Sequence, residues 1–171
     1  MNPCRVLFLC DHNSSRSLMH EAVLGHEGTG RFVAYSAGRR PAAHADPDAL
    51  DALRDAGLAT ADLAPKSWHR FTGPGAPVFD IVIRVCGPSA EEDCPDFAGP
   101  PVCVQWPVAH PRAASGSVVA RAAAYRQALA RATYRVLALI RLPVATMPRD
   151  ALVAALTAIG DHFADDLADD D

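Results

Sequence analysis

Residues 4–10, CRVLFLC, are apolar almost without interruption, with one charge near the start. This pattern predicts a strand buried on both faces. From Ser14 to about His26, Leu18, Met19, Ala22 and Val23 recur at helical spacing, and RFVAYSAG (31–38) reads as a second strand ending at a glycine. DPDALDALRDAGL has the marks of a helix: Asp46 as N-cap, Pro47 in the first turn, Leu50 and Leu53 on one face and Gly57 at the end. VFDIVIRVC (78–86) is a third buried strand, and VCVQW (102–106), bounded by prolines, is a fourth. A long amphipathic helix is predicted from Ser117 to about Arg141, with Val118, Ala122, Tyr125, Leu129, Ala132, Val136 and Ile140 on its apolar stripe. After Pro143, PRDALVAALTAIG makes a last short helix with Gly160 at its end.

Strands alternating with helices predict an α/β domain built on a parallel sheet. There is no internal repeat. The Gly/Pro-rich pieces FTGPGAP (71–77) and PDFAGPP (95–101) read as loops within one domain. A length of 171 residues allows a sizeable single core. The net charge of −4, with 16 Lys+Arg against 20 Asp+Glu, includes no basic stripe of the kind nucleic-acid binders carry. Part of the acidic excess is the C-terminal DHFADDLADDD, which reads as a solvated tail. The start, MNPCRVLFLCDHN, has only a short apolar run and no cleavage-type segment. No stretch reaches the roughly 20 apolar residues of a membrane helix. The expected location is therefore cytoplasmic, with no membrane and no nucleic acid as partner. The five cysteines (Cys4, Cys10, Cys86, Cys94, Cys103) are then expected to be reduced at rest and to be read one by one. Cys4 and Cys103, inside predicted strands, read as core residues.

The candidate chemistry lies in CDHNSSRS, residues 10–17, between the first strand and first helix. Successive backbone N–H groups in such a loop form a nest for an anion, and the helix N-terminus adds its positive dipole. A cysteine in that nest has its thiolate stabilised and becomes a nucleophile at neutral pH. Arg16 offers a planar fork for two oxygens of a tetrahedral anion. Asn13 can hold the loop's shape, and Ser14, Ser15 and Ser17 are small hydroxyls suited to close backbone approach. Taken alone, Cys-x5-Arg is equally a buried strand cysteine followed by an N-capped helix. An ATP-binding glycine loop is a poor match, because Gly-Lys-Ser/Thr is absent.

VLFLCDHNSSRSLMHEA resembles the low-molecular-weight protein tyrosine phosphatase superfamily, in particular its thioredoxin-coupled arsenate reductase branch. The resemblance continues through YSAGRRPA with DPDALDALRDAGL, then KSWHRF, FDIVIRVCGPSAEEDCP and GPPVCVQWPVAHPRAASG, and covers about residues 4 to 140. It implies a four-stranded parallel sheet of order 2-1-3-4 with helices on both faces. It also implies a phosphatase-like core over residues 1–141, followed by a helical extension with an acidic tail over 142–171. In that order, Cys10 ends the first strand, Cys86 ends the third and His110 follows the fourth. All three then meet on the rim where the strand order reverses and open α/β sheets bind ligands.

Seven residues separate Cys86 from Cys94, too many for a redox Cys-x-x-Cys and unusual for zinc. Spacing alone favours two unrelated thiols. The resemblance implies roles for both: Cys10 attacks arsenate, Cys86 attacks Cys10 and releases arsenite, and Cys94 attacks Cys86. The resulting disulfide is left for thioredoxin to reduce. A phosphatase needs Cys10 and Arg16 but neither of the other two.

The pattern also departs from the family. Where the family has an aspartate general acid in an Asp-Pro step, WPVAHP places His110, and Arg112 stands where phosphatases commonly have a tyrosine. A histidine can donate a proton near neutral pH; the plain alternative is a surface loop residue. Asp11 and His12 replace a small residue and a glycine. A carboxylate pointing at Cys10 would oppose its thiolate, and one pointing outward would cost little. Side chains at 12 strain the loop if a positive φ is needed there. Some family members bind potassium through residues such as Asn13, Glu21 and Ser36. No fourth acidic ligand is evident near Trp68, and neither metal nor cofactor is expected.

The reading is an arsenate reductase regenerated by thioredoxin, acting on arsenate or a similar phosphate- or sulfate-like oxyanion. Its catalytic residues are Cys10, Arg16, Cys86, Cys94 and His110, and its oxyanion loop is Asn13, Ser14, Ser15, Arg16 and Ser17. The alternatives are a low-molecular-weight tyrosine phosphatase and a non-catalytic oxyanion-binding or redox-sensing module.

Overall fold

A computed structural model describes residues 2–86, 95–113 and 116–163. Strand β1 (Cys4–Cys10) leads into helix α1 (Arg16–Glu27), β2 (Phe32–Gly38) and α2 (Pro47–Asp55). A 3-10 turn at Trp68–Phe71 precedes β3 (Ile81–Arg84). Then come β4 (Val102–Gln105), a 3-10 turn at Pro111–Ala113, α3 (Val118–Arg141) and α4 (Arg149–Asp161). The sheet is parallel throughout, in the order β2-β1-β3-β4. In this register Cys10 lies beside Gly38, and Leu9 beside Arg84.

The alternation of side chains sorts the core into two layers. Val6, Phe8, Cys10, Ile81, Ile83, Val102 and Val104 share one face with apolar residues from all four α-helices. Leu7, Leu9, Ala37 and Val82 face the other way, under Trp68, Phe71, Phe79 and Phe97. These rings meet edge to face, Phe71–Phe79 at 5.6 Å and Phe79–Phe97 at 5.9 Å. Helical elements thus cover both faces, α-helices on one and the Trp68–Phe71 turn on the other.

Helix α2 begins as its composition predicts: Asp46 accepts from the Asp48 N–H at 3.0 Å and Pro47 fills the first turn. Ser117 likewise caps α3 through the Ala120 N–H. Helix α4 is drawn against β4 because residue 160 is a glycine. A Cβ there would lie 2.4 Å from the Gln105 carbonyl oxygen and 2.6 Å from the Trp106 ring. Trp106 donates to the Leu156 carbonyl at 2.8 Å. The fully buried Arg135 donates to the carbonyls of Trp106 (2.9 Å), Pro107 (3.0 Å) and Gly160 (2.7 Å). The last helix is therefore pinned to the strand end that leads into the His110 loop. No helix among the described residues is long and apolar enough to cross a membrane.

Three expectations need correction. Cys103 is exposed, not core. Val102 and Val104 take the helix-covered face of edge strand β4, so alternation sends Cys103 to the other face, where the aromatic layer stops short of β4. Val118, placed on the apolar stripe of α3, is 71% exposed, because it sits in the first turn, before α3 reaches the core. Strand β3 starts at Ile81, not at residue 78: Asp80 turns its carboxylate back to the Arg5 N–H at 2.8 Å, and Val78 is left half exposed.

Candidate active site

The loop between Cys10 and α1 is shaped by Asn13, the one non-glycine residue with positive φ (48°) among those described. Asparagine tolerates this conformation better than most L-residues. Its buried side chain satisfies the loop from beneath. Nδ2 donates to Ser17 Oγ (2.8 Å) and Ser36 Oγ (2.9 Å), while Oδ1 accepts from the Lys66 N–H (2.8 Å). The strain expected at His12 is absent, since the left-handed position is 13. Gly38 permits the close approach of β2, because a Cβ there would stand 2.8 Å from the Asp11 carbonyl oxygen and 2.9 Å from Asn13.

Cys10 is buried, yet its thiol is held well below the ordinary cysteine range. The largest cause is a hydrogen bond from the Cys86 thiol, aided by the charge of Arg16, the Asn13 N–H and the Ser17 hydroxyl, all opposing burial. The partner thiol, Cys86, is driven far up by the same bond and by burial. Its sulfur accepts from the Asp11 N–H at 2.9 Å. The shared hydrogen bond thus favours the thiolate on Cys10 and the proton on Cys86. Cys10 and Cys86 line one narrow cleft with Asp11, Arg39, Trp68 and Arg84.

The Asp11 carboxylate turns outward. It pairs with Arg40 at 2.6 Å and with His12 at 3.4 Å, and Arg40 holds its pKa down.

Arg16, at the first position of α1, donates from Nη1 to the Val108 carbonyl at 2.7 Å. Its Nε–H is buried without an acceptor among the described residues. Ser15, at the N-cap, makes no side-chain capping bond, so the first-turn amides of α1 remain available to an anion. Ser14 accepts from the Asp46 N–H through its carbonyl at 2.8 Å. Beneath Arg16 lies His20, fully buried against Phe8 and Trp106. Its Nδ1 donates to the Arg16 carbonyl at 2.7 Å, and burial pushes its pKa down to about 4.

His110 reaches the same place from the β4 side. It feels both Arg16 and Cys10, and burial first, then Arg16, lowers its pKa, with the Cys10 and Asp46 charges acting the other way. Its Nδ1 accepts from the Arg112 N–H at 3.1 Å. Cys10, Arg16, Ser17, Cys86 and His110 are thus brought together. Cys94 lies outside the described residues. A wider cavity of about 340 Å³, lined by Cys4, Arg31, Asp80 and Leu152 among others, sits at the amino ends of the strands, away from this cluster.

Two features escape sequence reasoning. Lys66 places its ammonium 3.3 Å from Glu21 and 3.4 Å from Ser36, whose hydroxyl donates to Glu21. The Asn13–Glu21–Ser36 group is therefore already supplied with a positive charge and does not suit a metal cation. The second is Asp46, which gathers Arg112 and Tyr125 beside the His110 turn. The only sequence signal for it was its capping position.

The model of the low molecular weight phosphotyrosine protein phosphatases matches residues 5–100, more than half of the chain, and the chain belongs to this family of enzymes. No curated protein matches it in sequence. Among solved structures, it is similar to an arsenate reductase from Archaeoglobus fulgidus, with 27% identity, TM-score 0.61, and 79% of this chain and 98% of that one covered. It is also similar to a thioredoxin-dependent arsenate reductase of Corynebacterium glutamicum (22% identity, TM-score 0.59), covering 80% of this chain and spanning 60% of the length of that one. A low molecular weight protein tyrosine phosphatase from T. tengcongensis has the same fold, with 20% identity, TM-score 0.60, and 80% and 97% of the two chains covered.

Proposed function

We propose that this protein reduces arsenate to arsenite. The observation that carries the reading is the second thiol: Cys86 hydrogen-bonds the Cys10 sulfur at the base of the oxyanion loop. Phosphate-ester hydrolysis needs no such group, whereas reduction needs two electrons from two sulfurs.

In this reading the Cys10 thiolate attacks arsenic of an arsenate held by Arg16 and the amides at the start of α1. One oxygen leaves as hydroxide and is protonated to water. His110 faces that side with a neutral ring whose Nε2–H stabilises the departing oxygen by a hydrogen bond. Cys86 then gives up its proton and attacks the Cys10 sulfur. The S–As bond breaks with its electron pair on arsenic, which leaves as arsenite, and a Cys10–Cys86 disulfide remains. Attack by Cys94 on Cys86 would free Cys10, and a dithiol partner of the thioredoxin type would reduce the Cys86–Cys94 disulfide.

The test is arsenate-dependent NADPH oxidation with thioredoxin and thioredoxin reductase. Cys10→Ser abolishes arsenite formation, and Cys86→Ser and Cys94→Ser stop multiple turnover. Undiminished turnover in either resolving mutant overturns the scheme. Family membership also supports a second reading, a tyrosine phosphatase. Hydrolysis of an aryl phosphate above a Cys10→Ser control, with no arsenate turnover, would establish it instead.

A further inference from the structure

We propose that Asp46 is a positioning residue that acts through Arg112 to hold His110 in one tautomer beside Cys10. Its kinetic consequence rests on the reading above; its structural consequence does not.

The Asp46 side chain is 1% exposed. A carboxylate so buried is stable only when its oxygens are fully partnered by donors. Capping α2 uses Oδ1 alone, which accepts from the Asp48 N–H at 3.0 Å. Oδ2 is not needed for the cap, yet it accepts from the Tyr125 hydroxyl at 2.6 Å, Arg112 Nε at 3.0 Å and Arg112 Nη2 at 2.9 Å. Arg112 is otherwise a surface side chain, 64% exposed, on the short turn Pro111–Ala113. An exposed arginine pairing another surface charge would contribute little. Here it is tied to a buried anion, and the turn that carries it is tied with it.

That turn includes the Arg112 N–H, which donates to His110 Nδ1 at 3.1 Å. A backbone N–H can only donate, so Nδ1 must present its lone pair, and the neutral ring's proton is then on Nε2. The Asp46 N–H meanwhile binds the Ser14 carbonyl at 2.8 Å, and Arg16 binds the Val108 carbonyl at 2.7 Å. The oxyanion loop and the His110 loop are joined on two sides, and Asp46 is the residue that touches the first while holding the second. A plain structural staple would affect stability and leave the imidazole tautomer unchanged.

The experiment is 15N NMR of the histidine rings in the full chain, with His110 identified by the signal lost in His110→Gln. The wild type shows a single Nε2–H tautomer. Asp46→Asn keeps a good helix cap but loses the charge that holds Arg112, and Arg112→Gln removes the cation from Asp46 while keeping the backbone N–H that faces His110. Both are expected to give a mixture of tautomers at His110, and Tyr125→Phe, which leaves Arg112 bound, is expected to keep the single form. In arsenate turnover, Asp46→Asn and Arg112→Gln lower kcat by about tenfold or more, with KM within about twofold, as misplacement of a reacting group does. A single tautomer persisting in Arg112→Gln overturns the proposal, even if Asp46→Asn does not fold. The ring signals need no arsenate, so absence of turnover in the wild type would sink the reductase reading and leave this test standing.

Discussion

Strand β1 carries a cysteine at each end, and the same physics treats them in opposite ways. Cys4, at the amino end, has its thiol pushed up to about 12 by burial and by the Asp80 carboxylate. Cys10, at the carboxyl end, is the more deeply buried of the two, yet lies well below the ordinary cysteine range. Burial raises both, so burial does not decide which sulfur is the nucleophile. Donors decide. The carboxyl end opens into a loop and a helix start that point N–H groups, Arg16, Ser17 and the Cys86 thiol at the sulfur, and the amino end offers a carboxylate.

The comparison is broken most directly by alkylation. With iodoacetamide at pH 7 and peptide-resolved mass spectrometry, Cys10 is expected to react at least about a thousandfold faster than Cys4, because the thiolate is the reacting form. Equal rates would end the argument from donors.

The next largest effect concerns His20, which supports Arg16 from below. Its folded pKa of about 4 lies below the ordinary 6.5. The unfolded chain therefore takes up the proton first as pH falls. Stability is fully present above pH 6.5, is lost between 6.5 and 4, and is flat below that. The loss is on the order of 3 kcal/mol, at about 1.4 kcal/mol per unit. Denaturant midpoints measured across that window should slope in the wild type and flatten in His20→Phe.

Replacing single donors sharpens the comparison further. Cys86→Ala moves the pH midpoint of Cys10 alkylation upward. Arg16→Gln also moves it upward, by less, since the Cys86 bond is the larger cause. A larger shift from Arg16 would reverse that order. The smallest change is at the other end: Asp80→Asn lowers the Cys4 pKa slightly but leaves the thiol unreactive at pH 7, because burial is its main cause. Rapid labelling of Cys4 in that variant would show the carboxylate to be dominant.

How much was legible in advance differs element by element. The apolar run ending at Cys10, the capped start of α2 and the stripe of α3 from Tyr125 onward are local patterns, and the structure keeps them. Val118 was misread because a stripe shows which way a residue points but not where the helix meets its neighbour. Cys103 was misread because an apolar run on an edge strand looks like one in the middle of a sheet. For Asp11, composition warned of a charge beside the thiolate, and its direction depended on Arg40, 29 residues away.

The sequence by itself determined the alternation of strands and helices, the small polar loop around Cys10 and the presence of a second thiol after the third strand. These follow from side-chain periodicity, capping and residue chemistry, which act over a few neighbours. Only the tertiary structure decided which way Asp11 faces and which cation stands beside Glu21. It alone decided that Asp46 meets Arg112 and Tyr125 across 66 and 79 residues of chain. Those contacts come from packing the helices on one face of a parallel sheet, and no local pattern encodes a pairing at that distance. The pKa of Cys10 belongs to both groups: Asn13, Arg16 and Ser17 lie in the loop and helix start visible next to it in the sequence, but its largest donor, Cys86, is brought in by the pairing of β1 with β3.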